Sequence, residues 1–287
     1  MRCVFALVAA AGCVSSASAI DTLTMAQAVN GAFASQNTQS SFGGNNVLAG
    51  AFASIGGGNL DLLITGRMND GNERLVILVD NGLGGGATSM PGGLFGLGGG
   101  ATGLVFDMGF APQTCIVANG NATDIFVDFN ANIGGAPMSV FAGLNARSNG
   151  GTPLNFGGMG APDLRVSFND AFGGGVFGFG MLGPMESAAY AGATTGAGFR
   201  IPLSAIGVNE FSTFRVMAMI LGGDGSTTSN QYLGPVNGQE GPFNSYPGVG
   251  SLDLNNVPGN QFFTIPTPGA AALLGLGMLS AARRRRA

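Results

Sequence analysis

The chain has 287 residues, of which 45% are hydrophobic and only 9% charged, with 53 glycines, no His, no Trp and a formal net charge of −4. All 11 of its basic residues are arginine, which excludes histidine triads, histidine–zinc sites, Schiff bases and lysine phosphate loops. Setting aside Arg2 and Arg283 to Arg286, six arginines face 15 acidic residues, a net charge near −9 that repels the phosphates of a nucleic acid.

Met1 and Arg2 give a positive start, Val4 to Ala11 an apolar stretch, and Ala17-Ser18-Ala19 a small-x-small cleavage site. Together they read as a secretory signal peptide over 1–19, cut by signal peptidase after Ala19. The alternative makes Cys13 a lipoprotein cysteine after Ala11 and Gly12. With the cut at Ala19, Cys3 and Cys13 leave, so Cys115 is alone and no intrachain disulfide can form. The flanks of Cys115 are strand-like and lack nearby positive charge, the setting of a buried small hydrophobe rather than of a reactive thiol.

Beyond the leader, a short helix is expected over Thr24 to Ala34. Strands are then expected over Val47 to Ser54, Leu60 to Arg67, Arg74 to Asp80, Gly103 to Phe110, Gln113 to Ala118, Thr123 to Asn130 and Met138 to Asn145. Later strands fall over Leu164 to Asn169, Ala197 to Leu203, Thr213 to Leu221 and Gln261 to Ile265, with a turn at Leu203 to Gly207. Each run is rich in β-branched and aromatic residues and is bounded by Gly, Asn, Asp or Pro. Leu75 to Val79 and Phe214 to Leu221 are apolar on both faces, as central strands are, whereas Thr123 to Phe129 alternates and should show one face to water. Gly82 to Gly103 reads as a long surface loop, Gly173 to Ala197 as a second flexible segment, and Tyr232 to Gly259 as irregular chain.

Few motifs survive as chemistry. Gly82-Leu83-Gly84-Gly85-Gly86-Ala87 fits the start of a dinucleotide fingerprint, but Pro91 and further glycines stand where its helix should begin. Asp124 and Asp128 share a strand face at roughly 13 Å, too far for the acid pair of a glycosidase, and read as solvated strand residues. Asp70 to Glu73, Asp80-Asn81 and Asp224 offer oxygen atoms that turn chemistry explains, a structural calcium being the lesser reading. No catalytic residue, no metal ligand set and no other cofactor is assigned.

Phe42 to Asn46, Leu62 to Asp80, Gly103 to Phe110 and Phe199 to Ile206 resemble segments of secreted bacterial proteins whose body is similar to the β-sandwich of family 9 carbohydrate-binding and DOMON-like modules. That resemblance implies carbohydrate binding, for which Tyr190 and Tyr232, in the loop-rich half, are the candidate ring platforms.

After Ile265 come Pro266-Thr267-Pro268, an uncharged run from Gly269 to Ala282, and Arg283, Arg284, Arg285 and Arg286. The run is shorter than the roughly 20 residues of a full membrane span, and the arginines hold its end in the cytoplasm. This layout resembles the PEP-CTERM sorting tail, with Thr267 where that motif has Glu. The resemblance implies recognition and removal by an exosortase-type membrane enzyme; a plain single-pass anchor and a buried apolar helix are the alternatives.

The chain therefore reads as a signal peptide over 1–19, an all-β domain over 20–265 and a transmembrane sorting segment over 266–287. The expected fold is an antiparallel β-sandwich, jelly-roll-like, with long Gly-rich loops. The expected role is that of a non-enzymatic exported protein, sorted to the cell envelope or extracellular matrix as a structural component. A carbohydrate-binding module, with extracellular polysaccharide as its partner, is the alternative.

Overall fold

Runs of β-branched and aromatic residues, punctuated by glycine and asparagine, form strands throughout the computed structural model. It describes residues 34–35, 46–67, 73–94, 96–97, 101–120, 125–135, 138–144, 154–155, 165–168, 197–223, 225–233, 252–257 and 259–265. The strands are β1 (Ala34–Ser35), β2 (Val47–Gly56), β3 (Asn59–Arg67), β4 (Arg74–Asp80), β5 (Thr114–Gly120), β6 (Ile125–Ala131) and β7 (Met138–Leu144). They continue with β8 (Leu154–Asn155), β9 (Arg165–Phe168), β10 (Ala197–Pro202), β11 (Phe214–Leu221), β12 (Thr228–Leu233) and β13 (Phe263–Ile265). The leader, the helix expected before Ala34, Tyr190, Asp124, Asp70, Asp224, the segment 173–196 and the tail from Pro266 lie outside the described residues.

The chain is all-β, with two antiparallel sheets. The first has the order β1-β2-β3-β10-β9-β8 and the second β12-β11-β4-β5-β6-β7, with β13 also paired to β11. Among the described residues no helix is long and apolar enough to cross a membrane. A 3-10 turn, Leu203–Ile206, follows Pro202 as expected and closes on Gly207, whose φ of 72° suits a residue without Cβ; a second, Leu254–Asn256, lies before β13.

One apolar cluster draws on both sheets. Leu60, Leu62, Ile64 and Phe199 contribute from the first, and Leu75, Ile77, Ile116, Phe129 and Val216 from the second. Because side chains alternate along a strand, the intervening residues Val76, Leu78, Val117, Met217 and Met219 point the other way. They too are fully buried, in a second cluster with Met90, Leu94, Leu97, Leu104, Phe106 and Phe110. This double burial explains why β4 and β11, adjacent in the middle of their sheet, are apolar on both faces.

Four expectations need correction. The Gly82 to Gly103 segment is no surface loop: it lies over the second sheet and buries its scattered large residues there. Gly103 to Phe110 is not a strand but irregular chain, whose β-pairing is limited to isolated bridges of Val105 to Ser89 and Asp253. Residues 228–233 form β12 and extend into the stretch read as irregular. The described part of β6 shows no solvated face, because Val127, Asp128, Phe129 and Asn130 are all buried.

Candidate functional site

A cleft of about 570 Å³ opens at one end of the second sheet and is lined by residues including Asp80, Val105, Phe106, Met108, Gly109 and Arg215. Two neighbouring strands create its floor. Asp80 ends β4, Arg215 is the second residue of β11, and the antiparallel register sets them directly opposite each other. Both stand on apolar strands, so they are the strands' charged residues at this end of the covered face.

Asp80 is buried, and both of its oxygens are engaged. Oδ1 accepts from the Gly82 N–H at 2.8 Å, and Oδ2 accepts from the Ala111 N–H at 3.1 Å and from Nη1 of Arg215 at 3.1 Å. The same Nη1 donates to the Gly109 carbonyl at 2.6 Å. The Arg215 side chain stays 41% exposed, and its Nε and Nη2 find no partner among the described residues. The ion pair thus pins the cover segment to the sheet end and leaves guanidinium donors facing the cleft.

Aromatic residues back this pair. The Arg215 guanidinium lies 6.0 Å from the centroid of Phe262, which stacks on Phe110 at 5.2 Å, and Phe110 meets Phe106 edge-on at 5.8 Å. Asn255 ties the wall together: its Nδ2 donates to the Phe106 carbonyl at 3.1 Å, and its Oδ1 accepts from the Met108 N–H at 2.7 Å. Asp107, buried in the cleft lining, accepts from the Gln261 N–H. Desolvation pushes its carboxyl above the usual range; the Gln261 bond opposes this, and the nearby Asp253 charge adds to it.

The cleft therefore combines one partly exposed cation, a neutralised carboxylate and an apolar, aromatic wall. Both oxygens of Asp80 are already committed to structure. Among the described residues no group of three or more His, Cys, Asp or Glu converges.

Of the ring platforms expected from the sequence, Tyr190 lies outside the described residues. Tyr232 is 2% exposed in the second cluster, its hydroxyl 2.8 Å from Thr228 Oγ1, and burial pushes the phenol pKa well up. A ring packed on all sides offers no face to a sugar, so Tyr232 is a core residue. Asp128 is buried rather than solvated, and Cys115 is buried as expected of a small hydrophobe. The cleft pair escaped the reading of motifs, yet it leaves a signal: Arg215 interrupts the otherwise apolar run Phe214 to Leu221.

No protein family matches the chain, and no curated protein or solved structure matches it either.

Proposed function

We propose that this is an exported, non-enzymatic β-sandwich protein of jelly-roll type, sorted through its C-terminal tail to the cell envelope or extracellular matrix as a structural component. The observation that carries the reading is where the last strand stops. Phe263 and Ile265 of β13 are buried, and the next residues are Pro266-Thr267-Pro268, the apolar run and the four arginines. The folded body thus gives way directly to a segment with the layout of a sorting signal. The engaged carboxylates of the cleft favour binding over hydrolysis, and the signal peptide reading supplies the export route.

The test is the intact mass of the protein recovered separately from membranes and medium of the producing cells. A species beginning at Ile20 and ending between Pro266 and Gly269 is the expected result. A membrane species retaining Arg283 to Arg286 would make the tail a permanent anchor and overturn the exosortase step. With Tyr232 in the core, no observation among the described residues favours the carbohydrate-binding alternative.

A further inference from the structure

Large apolar side chains left in water are few here and are not scattered. Among the described residues they are Leu83 at 70%, Met108 at 87%, Phe211 at 80% and, at the margin, Val105. Leu83 follows the end of β4, and its N–H is held by Asn81 Oδ1 at 3.0 Å; Asn81 in turn donates to the Ile206 carbonyl at 2.9 Å. Met108 precedes Gly109, whose carbonyl takes the Arg215 bond. Phe211 sits in the turn Asn209 to Ser212 that leads into β11. Leu83 and Phe211 therefore lie beside the end of β4 and the start of β11, and Met108 lines the cleft at that same end.

The chain also leaves the body at this end. Ile265 pairs with Phe214, the first residue of β11, and four residues later the apolar run starts at Gly269. Four residues span at most about 14 Å when fully extended. The headgroup layer on each side of a bilayer is itself only about 5 to 8 Å thick. A body tethered through this run is therefore held within roughly 10 Å of the lipid surface, and the end that faces it is the end carrying Leu83, Met108 and Phe211.

We infer that this end of the second sheet is a membrane-docking face, with Leu83, Met108 and Phe211 seated among the headgroups and Arg215 donating to a lipid phosphate. The inference concerns the chain before its tail is removed and rests on the tail reading above. Isolated exposed hydrophobes need no explanation, but a cluster around a partnered arginine is the pattern of an interfacial surface. Charge selects the lipid. Glu210, beside Phe211, turns its carboxylate to the Gly58 N–H at 2.7 Å, and a body with a net charge near −9 disfavours anionic membranes, so a zwitterionic surface is the matching partner.

The absence of Trp makes the test direct, since each introduced tryptophan is the sole reporter. Leu83→Trp, Met108→Trp and Phe211→Trp are made in the full chain, with Thr102→Trp as control; Thr102 is exposed beside Ala101, which lies near Gly225 past the other end of β11. Each protein is bound to phosphatidylcholine vesicles with and without brominated chains, and flotation measures attachment independently. The expected result is flotation of all four, with blue-shifted, bromine-quenched emission at 83, 108 and 211 and unchanged emission at 102. Flotation with the three emissions matching the control overturns the docking face and leaves the tail reading standing. Failure to float overturns both. A concentration-dependent blue shift without vesicles overturns the lipid in favour of a second copy of the chain.

Discussion

Asp128 shows how a single side chain is misread when only its own strand is considered. The alternation of Thr123 to Phe129 is real, and it places Asp128 opposite Val127 and Phe129. What the alternation omits is Gly96, from the segment over the sheet: a Cβ on Gly96 would collide with Asp128 Oδ2, so backbone covers the carboxylate. Burial raises the Asp128 pKa to about 6, with the nearby Arg74 pulling it partly back, and Cys115 shares the same face. The folded protein consequently holds this proton more tightly than the unfolded chain. Stability contributed by protonated Asp128 is present below about pH 4 and is lost as pH rises through about 6, a change on the order of 3 kcal/mol. Melting temperatures measured from pH 4 to 7.5 should show this loss, and Asp128→Asn should flatten it. An unchanged profile in the variant would assign the pH dependence elsewhere.

At the scale of elements, the sheets were legible because their signal is local. Arg74–Asp80 is bounded as expected, and most other strands differ from expectation by one or two residues. The cover from Gly82 to Phe110 was not legible, because the glycines and Pro91 between Met90, Leu94, Leu97 and Leu104 deny their spacing of four, three and seven to any helix. Their spacing is set by the surface they lie on, not by their own backbone. Glycine serves here to bring backbones close. Gly134 packs so tightly against Gly85 and Gly86, and Gly86 against Ala111, that neither has room for a methyl group. Gly134→Ala should cost about 1 to 3 kcal/mol by forcing this segment off the end of β6, read as a lower denaturant midpoint with little change in slope. Gly84→Ala, with open space around its Cβ position but a φ of 81°, should cost less than Gly134→Ala. Equal costs would show that backbone conformation, not the close approach, sets the penalty.

For the molecule as a whole, redox conditions and stability meet in its cysteine use. A body whose described cysteine is buried and unpaired gains nothing from an oxidising compartment, and its stability must come from the two apolar clusters on either side of the second sheet. Burial also pushes the Cys115 thiol up in pKa, with the Asp128 charge adding to it, so the reactive thiolate is scarce in the native state. In the chain lacking residues 1–19, reductant should leave the melting temperature unchanged. Alkylation of Cys115 should follow global unfolding, its rate rising with denaturant in step with loss of structure. Rapid alkylation in native buffer would mean that the segment over the sheet opens on its own.

The strand β13 meets β11 over only three residue pairs, Phe214 with Ile265, Arg215 with Thr264 and Val216 with Phe263. Any mechanical load applied through the tail reaches the body at Ile265 and is first borne by this short ladder. Because β13 points towards its exit, such a pull runs along the strand and shears the ladder's hydrogen bonds together, while Phe263 and Ile265 act as plugs in the core. If the ladder yields, Arg215 loses the neighbour at its flank, and the mouth of the cleft changes shape with it. The short ladder thus couples tension applied at Ile265 to the geometry of the cleft beside Arg215.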